Sequence, residues 1–358
     1  MNQVNQEIAG DGVLVDVDDG IGIITLNRPE ALNALSIDMI RVIAATLQRW
    51  ESDEAVRAVL FDGAGERAFC SGGDIKSFYN AGMDYRRGLV SARVPVVFFA
   101  EEYSLNKQIA HYPKPTVAFM DGFTMGGGYG IAGHCQLRVA TDKTVFAMPE
   151  AGIGFFPDVG SMVHLHKCPG HYGRFLALTG QGIDGQTACA AGLVDVYVGA
   201  SSFDEVLSKL QANSDLEQAA NDLGETDCGE IPHAAEIDEV FQSLDIMQII
   251  ERLEGHGSDF GDKVATVLRG RSPVSLCVIA QYLEKSQGFS VDEVLDMDFT
   301  IVQHFIGQGD MYEGIRAQLI DKDREPQWEH DCVSAVPDEH VNTYFTPTGY
   351  DLKDVQIF

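Results

Sequence analysis

Two carboxylates in one apolar segment of this chain could carry out acid–base chemistry. Glu150 and Asp158 bound most of the segment MPEAGIGFFPD (148–158), and only small or apolar residues separate them. Apolar surroundings raise the pKa of a carboxyl group and make its carboxylate more basic, so Phe155 and Phe156 would suit Glu150 to a proton transfer or a nucleophilic attack. On the residues alone, a salt bridge for Glu150 and a helix N-cap for Asp158 remain open alternatives.

Three glycine-bearing loops, each after a predicted strand, could place backbone groups close to a ligand. They are SGGDI (71–75), TMGGGYG (124–130) and PEAGIGFFPDVG (149–160). Glycine lets another group approach the backbone, and the first amides of a helix are unpaired donors. The amides of Gly73 and Gly127 could therefore form an oxyanion hole for a carbonyl group that gains negative charge. A tight turn or a packing contact is the alternative for either loop taken alone.

The second loop also matches a dinucleotide pattern, because GYGIAG (128–133) fits GxGxxG. In a dinucleotide site the strand and the glycines adjoin, whereas here DGFTM separates the predicted strand from the glycine triplet. The sequence therefore disfavours a dinucleotide cofactor.

The charge of the chain excludes some partners. With 54 Asp and Glu against 25 Lys and Arg, the formal net charge is -29, so nucleic acid and anionic membranes would be repelled. No apolar run approaches the ~20 residues that span a bilayer. The N-terminal residues have neither a signal-peptide core nor an Arg-rich amphipathic character. We therefore expect a cytoplasmic protein with neither a nucleic-acid nor a membrane partner.

The cysteines and histidines predict neither disulfides nor a metal site. There are 7 cysteines, an odd number, and no CxxC motif, which fits a reduced chain. Of the 10 histidines only His164 and His166 form a close pair, and no third ligand lies near them in the sequence.

Strands and helices alternate in the first half of the chain and predict an α/β core. Predicted strands and helices follow one another in the repeated order strand, strand, helix. Ser36 is placed to cap the first of these helices. Pro157 should force a turn, so that Asp158 begins the next helix. The fold class predicted is α/β, a repeated ββα core over 1–200.

The remaining residues, 201–358, predict a mostly helical region that completes the pocket or forms oligomer contacts. Ser272-Pro273 is a helix start, and Ser290 with Glu293 forms a capping box before an apolar stripe. The stretch 212–236 is polar and acidic, which indicates a linker or a loosely packed segment.

Taken together, these segments resemble the crotonase superfamily, whose members act on acyl-CoA thioesters. The resemblance rests on NRPEALNALS (27–36), AFCSGGDIK (68–76), KPTVAFMDGFTMGGG (114–128) and MPEAGIGFFPD (148–158). Within the superfamily the chain resembles the 3-hydroxyisobutyryl-CoA hydrolase branch, through AEEYSLN (100–106), FFPDVG (155–160), FLALTG (175–180) and EGIRAQLIDKDREPQW (313–328).

The resemblance assigns roles by position. It implies an oxyanion hole at Gly73 and Gly127 and catalysis by Glu150 and Asp158, with Glu102 in the substrate pocket. A hydratase of the superfamily would carry a second glutamate where this chain has Gly130. Glycine there disfavours hydration and would leave room for a branched acyl group, so we include Gly130 among the substrate-binding residues.

The reaction implied is hydrolysis of a short branched hydroxyacyl-CoA, first of all 3-hydroxyisobutyryl-CoA, to 3-hydroxyisobutyrate and CoA, a step of valine catabolism. No cofactor or metal is expected, since CoA is part of the substrate. Lys76, Lys322 and Arg324 are candidates to bind the CoA phosphates. A crotonase-type isomerase or hydratase, and a non-catalytic acyl-CoA-binding relative, are the alternatives. The resemblance to the superfamily also implies that the chain could form a homo-oligomer.

Overall fold

The computed structural model describes residues 7–10, 12–89, 93–213, 215–223, 228–307, 309–349 and 352. The strands of these residues, in chain order, are β1 (Glu7–Gly10), β2 (Val13–Asp18), β3 (Ile21–Leu26), β4 (Ala58–Gly63), β5 (Ala68–Cys70), β6 (Thr116–Met120), β7 (Phe123–Met125), β8 (Leu137–Ala140), β9 (Val145–Ala147), β10 (Ile183–Asp184) and β11 (Val196–Tyr197).

The helices of the described residues are α1 (Ile37–Glu51), α2 (Ile75–Arg86), α3 (Arg93–Ala110), α4 (Gly127–Ala132), α5 (Met162–Leu165), α6 (Tyr172–Thr179), α7 (Gly185–Ala190), α8 (Phe203–Ala212), α9 (Leu216–Asp222), α10 (Ala234–Val240), α11 (Ile246–His256), α12 (Asp259–Arg269), α13 (Pro273–Lys285), α14 (Val291–Gly307), α15 (Asp310–Ile315) and α16 (Asp338–Thr343). Short 3-10 turns cover Pro29–Ala31, Pro149–Ile153 and Val333–Ala335, and a π-helical turn covers Arg316–Ile320.

The strands form two sheets. The larger has seven strands in the order β1-β2-β3-β4-β6-β8-β11, and the smaller has four in the order β10-β9-β7-β5. From β3 to β11 the larger sheet is parallel, and so is the smaller sheet from β5 to β9. Strands β3 and β6 are buried along their whole length, which agrees with their mostly apolar sequences.

The predicted ββα repeat is present. The pairs β4–β5, β6–β7 and β8–β9 each place their first strand in the larger sheet and their second in the smaller one. Strands β5, β7 and β9 are therefore parallel neighbours, and their carboxyl ends meet at one edge of the smaller sheet. Since the three glycine-bearing loops follow these strands, the repeat brings the loops together.

After Tyr197 the described residues form helices, as the sequence predicted. The expected helix starts are confirmed: the Ser36 hydroxyl accepts from the amide of Met39, and the Ser272 hydroxyl accepts from that of Ser275. Ser290 and Glu293 form the reciprocal capping box.

The prediction of a linker over 212–236 is wrong for its described part. Helix α9 lies within this stretch, and Ala219 on it joins α8 in a hydrophobic cluster on one face of the larger sheet. The Arg57 side chain donates to the carbonyl of Asn213 at 2.7 Å, which ties the turn after α8 to the start of β4. The acidic surface composition concealed an amphipathic pair of helices.

The expectation that no disulfide forms is also corrected, since Cys189 and Cys228 are joined in a disulfide. The two cysteines are 39 residues apart in the sequence, so spacing gave no signal. Helix α7 and the chain before α10 bring them together. No described helix has the length and hydropathy that a membrane span needs.

Candidate active site

A cavity of about 360 Å³ opens where the three loops meet. Its lining combines loop glycines, buried acids, apolar side chains and one cation: Ser71, Gly72, Gly73, Ile75, Phe99, Glu102, Gly126, Gly127, Pro149, Glu150, Gly152, Ile153, Phe155, Asp158, Arg271, Gln318 and Leu319. Five of the six residues proposed for the site from sequence are therefore together. A cavity of this size suits a small acyl group better than a macromolecule.

The two proposed oxyanion-hole amides lie close to one another. A Cβ built on Gly72 would lie 3.5 Å from the amide nitrogen of Gly127, and one built on Gly127 would lie 3.2 Å from that of Gly73. The amide of Leu35 donates to the carbonyl of Gly72, and the carbonyl of Leu35 accepts from the amide of Asp74. The amide of Gly73, which lies between them, takes no part in this pairing. Within the described residues, neither Gly73 nor Gly127 donates its amide to an acceptor, so both remain available to a ligand.

Glu102 comes from α3 and reaches the same point. The side chain is 3% exposed, and its Oε1 atom lies 2.2 Å from where a Cβ on Gly127 would stand. The sequence therefore needs glycine at position 127 for steric reasons as well as for access to the amide. Oε1 has no hydrogen-bond partner among the described residues. Burial, and secondarily the charge of Asp158, raises the pKa of Glu102.

Glu150 sits on the 3-10 turn that follows β9, at 7% exposure. Its Oε1 lies 2.6 Å from the position of a Cβ on Gly126, and no described residue is hydrogen-bonded to its Oε2. Burial raises the pKa of Glu150 well above its usual range, and the charges of Asp158 and Glu102 act in the same direction. The alternative of a salt bridge for Glu150 is not what the structure has, since none of the ion pairs between described residues includes it.

Asp158 faces the cavity from a turn and is 4% exposed. Its Oδ2 accepts a hydrogen bond of 2.6 Å from the hydroxyl of Tyr103. Burial raises the pKa of Asp158 to about 7, although this hydrogen bond acts in the opposite direction. The prediction that Asp158 begins a helix is wrong: the next helix starts at Met162, and the residues between form a turn with positive φ at Val159 and Gly160.

Phe155 and Phe156 lie in different surroundings. Phe155 lines the cavity beside Phe99, as predicted for an apolar wall. Phe156 is absent from the lining and packs instead against Phe305 and Tyr282 of the C-terminal helices. The segment that carries the two acids is thus fixed from behind by the helical region.

Gly130 does not have the substrate-binding role that was predicted for it. It does not line the cavity, and a Cβ there would lie 2.8 Å from the Cβ of Val159 and 2.9 Å from the Nδ2 of Asn106. The missing side chain makes room for those two residues and leaves no space for an acyl group. The prediction that Gly130 binds the substrate is therefore wrong.

The cations near the cavity also differ from those proposed. Lys76, Lys322 and Arg324 are exposed and are not in the lining. Lys322 and Arg324 lie in an irregular segment after the π-helical turn, where helices had been expected, and both have positive φ. The lining cation is Arg271, which precedes the Ser272 cap of α13 and donates to the carbonyl of Thr179.

Sequence reasoning missed Arg271 and Tyr103. Tyr103 could have been found, because Phe99, Glu102, Tyr103 and Asn106 share one face of α3 at helical spacing. Arg271 gave no such signal, because only the packing of α13 against α6 brings it to the cavity.

One group of possible metal ligands exists among the described residues: Glu329, His330 and His340. None of them lines the cavity. His164 and His166 are not in that group. A ring nitrogen of His166 lies 2.8 Å from the Ser286 hydroxyl, and the Nδ1 atom of the half-buried His164 lies 3.3 Å from the Arg138 guanidinium.

A sequence model of the family described as enoyl-CoA hydratase/isomerase matches residues 21–345. The mitochondrial 3-hydroxyisobutyryl-CoA hydrolase of Danio rerio is 39% identical over 98% of this chain and 92% of its own length. The proteins of the same name from Mus musculus and Homo sapiens are 39% and 37% identical, over 93% and 96% of this chain and 88% and 91% of their own.

Solved structures agree in fold. A protein titled carnitinyl-CoA dehydratase, from Mycobacterium thermoresistibile, superimposes with a TM-score of 0.87 at 35% identity, over 96% of this chain and 98% of that one. A protein titled enoyl-CoA hydratase, from Rhodobacter sphaeroides, gives 0.85 at 35% identity, over 95% and 98%. Both likenesses extend through the C-terminal helices.

Proposed function

The chain belongs to the enoyl-CoA hydratase/isomerase family, and on that premise we propose that it hydrolyses a short branched hydroxyacyl-CoA, 3-hydroxyisobutyryl-CoA, to 3-hydroxyisobutyrate and CoA. The observation that carries the proposal is the meeting of two unpartnered amides with an unpartnered buried carboxylate oxygen in one cavity. The near full-length relatives named as this hydrolase support the choice of substrate.

The amides of Gly73 and Gly127 receive the thioester carbonyl oxygen. When a nucleophile adds, that oxygen becomes negative, and preorganised donors in a dry site stabilise it. The lining supplies apolar side chains, Phe99, Phe155 and Leu319 among them, which exclude water from the acyl group.

Glu150 takes one of two roles. As a nucleophile, its carboxylate adds to the carbonyl carbon, the C–S bond breaks with loss of CoA thiolate, and water then hydrolyses the mixed anhydride. As a general base, it takes a proton from water while the water oxygen adds to the same carbon, and the tetrahedral intermediate then breaks the C–S bond with loss of CoA thiolate. A single turnover in ¹⁸O-water separates the two, because only the anhydride route can leave the label in Glu150.

Asp158 assists from the adjoining turn. Its carboxylate, held by Tyr103, positions the attacking water or the substrate hydroxyl and shares the proton transfers. Because CoA leaves as a thiolate, the proposed reaction needs neither a metal nor a separate cofactor. In this proposal CoA is part of the substrate and is not a cofactor.

The location, the partners and the oligomeric state of the protein are also proposals. Cytoplasmic location, absence of nucleic-acid and membrane partners and a homo-oligomeric state remain predictions from composition and resemblance. The curated relatives are named as mitochondrial proteins, so location deserves a direct measurement by fractionation with antibody detection.

A hydratase activity is the second candidate, because two similar solved structures have hydratase and dehydratase titles. A thiol-reagent assay on a panel of short branched, hydroxylated and unsaturated acyl-CoAs decides between them. Hydrolysis releases one free CoA thiol for each substrate molecule consumed, whereas hydration and isomerisation release none. Conversion of enoyl-CoA without thiol release would replace the proposal, and binding without any turnover would indicate a non-catalytic relative.

A further inference from the structure

Asp298 is a fully buried acid that the proposed hydrolysis does not use. It lies on α14 with 0% exposure, and each carboxyl oxygen has its own partner. Oδ2 accepts a 2.7 Å hydrogen bond from the amide of Gly160, and Oδ1 accepts a 2.6 Å hydrogen bond from the hydroxyl of Tyr282. Gly160 is two residues after Asp158, so a helix of the C-terminal region holds the turn that carries a proposed catalytic acid.

The two residues before Gly160 are held by separate parts of the fold. The hydroxyl of Tyr103, on α3, donates to Asp158, and the Nε2 atom of His134 lies 2.8 Å from the carbonyl of Val159. Burial lowers the pKa of His134 to about 4, so the ring is neutral and can donate through Nε2. Three consecutive residues thus have three anchors from three directions.

The turn needs these anchors because its backbone is unfavourable. Val159 has φ of +53°, a region that β-branched residues rarely adopt, and Gly160 has φ of +76°. A Cβ on Gly160 would lie 2.6 Å from the Nε2 of His134, so the turn is also tightly enclosed. Without an acceptor for its amide, Gly160 would leave a buried donor unpaired, and the turn would relax towards another conformation.

We propose that Asp298 is a positioning residue: its Oδ2 fixes the amide of Gly160 and thereby holds the carboxylate of Asp158 towards the cavity. The inference rests on the proposed hydrolysis for its effect on turnover, whereas the anchoring of the turn can be measured separately. It also gives the helical region a share in the site beyond the lining residues that it supplies.

Asp298→Leu and Asp298→Asn test the proposal as a pair. Leucine has the same branching at Cγ, although it is larger, and it has no acceptor, so kcat for thiol release should fall about 10- to 100-fold, as expected for a displaced catalytic group. KM should stay within about 2-fold, because Asp298 does not touch the substrate. Asparagine keeps one acceptor oxygen for Gly160, while the Tyr282 hydroxyl can reverse and accept from its amide, so kcat should be largely restored.

Tyr282→Phe is the matched control. It removes the other hydrogen bond of Asp298 and leaves the contact with Gly160 intact. It should lower the melting temperature without lowering kcat by more than about 2-fold, since a buried hydrogen bond contributes to stability wherever it lies. All four proteins are assayed well below their melting temperatures, so that loss of folded protein does not imitate loss of kcat.

Hydrogen–deuterium exchange supplies the readout that does not depend on turnover. The peptide containing residues 155–163 should exchange faster in Asp298→Leu than in the wild type and in Tyr282→Phe. Unchanged exchange and unchanged kcat in folded Asp298→Leu would overturn the inference, and so would an Asp298→Asn protein as impaired as the leucine variant. If the wild type released no thiol from any acyl-CoA, the proposed function would fail, while the exchange comparison would still decide whether Asp298 anchors the turn.

Discussion

At the residue scale, the site depends on acids gathered where water cannot solvate them. Glu102, Glu150 and Asp158 all line the cavity, and burial is the first cause of the raised pKa of each. The pKa of Asp158, raised to about 7, lets this group exchange protons near neutral pH, which suits acid–base chemistry. The negative charge of Asp158 also raises the pKa of Glu102 and of Glu150, so ionisation of one acid disfavours ionisation of its neighbours.

Glu150→Gln should lower kcat for thiol release at least about 100-fold, because the amide can neither attack nor accept the proton of water. The side chain keeps its volume, so the melting temperature should not fall. Steady-state thiol release measures the effect, with the exposed Glu251→Gln as control. Wild-type turnover in Glu150→Gln would remove Glu150 from the reaction.

Arg271→Met should raise KM for the acyl-CoA about 10-fold or more, with a smaller change in kcat. Arg271 is the cation of an otherwise acidic lining, burial lowers its pKa, and no ion pair between described residues includes it. A substrate anion would offset the unfavourable free energy of its burial. Arg269→Met is the control, since Arg269 is paired with Glu254 outside the cavity. Equal KM values in the two variants would exclude Arg271 from substrate binding.

At the element scale, three parallel strands of the smaller sheet do the positioning. Strands β5, β7 and β9 end at one edge and deliver Gly73, Gly127 and Glu150 to it. Helix α3 adds Glu102 and Tyr103, and α14 holds the turn that follows Asp158. Each element has ordinary sequence features, and the site results from their adjacency.

Gly127→Ala should lower kcat about 100- to 1,000-fold, the range for loss of an oxyanion donor. The added methyl group would meet Glu102 at 2.2 Å and the amide of Gly73 at 3.2 Å, so both groups must move. Gly255→Ala is the matched control, because a Cβ on Gly255 in helix α11 meets nothing within 4 Å. That control should be neutral or slightly stabilising. Similar kcat values in both alanine variants would exclude the second loop from the oxyanion hole.

At the scale of the whole molecule, the C-terminal helices complete the core around the catalytic segment. Phe305 of α14 packs on both Phe155 and Phe156, with ring centroids 5.2 and 5.5 Å away. Residues of both halves of the chain belong to one hydrophobic cluster. The division at residue 200 stays a prediction, but the site draws on elements from both sides of it.

The contribution of the buried acids to the stability of the chain should fall as the pH rises from about 4 to about 7, whereas His134, whose pKa burial lowers to about 4, acts in the opposite direction. Burial raises the pKa of Asp158 and of Asp62 to about 7, whereas in the unfolded chain both titrate near 3.9. Between those values the folded state binds more protons than the unfolded state, so the free energy of unfolding decreases with pH. The net charge of -29 adds self-repulsion in the same direction.

Denaturant unfolding at pH 5 and pH 7.5 measures the difference. Asp158→Asn should reduce it, because each unit of pKa shift corresponds to about 1.4 kcal/mol. The same pH dependence in Asp158→Asn as in the wild type would contradict the raised pKa of Asp158.

The sequence by itself determined the local chemistry of this protein and the elements that carry it. The glycine loops, the two acids of 148–158, the ββα repeat and the helix caps all follow from short-range rules, because turns, caps and apolar periodicity depend on neighbouring residues. Gly73, Gly127, Glu150 and Asp158 could therefore be proposed for one site from the sequence, whereas Glu102 was assigned by the family resemblance, and all five line the cavity.

Only the tertiary structure decided what fills the space around those residues. Gly130 was assigned to the substrate but accommodates Val159 and Asn106, and Arg271 reaches the cavity from 121 residues beyond Glu150 in the sequence. The disulfide and the anchoring of Gly160 by Asp298 likewise join distant segments. Such contacts depend on how whole elements pack, and packing is a property of three-dimensional proximity that periodicity along one chain does not contain.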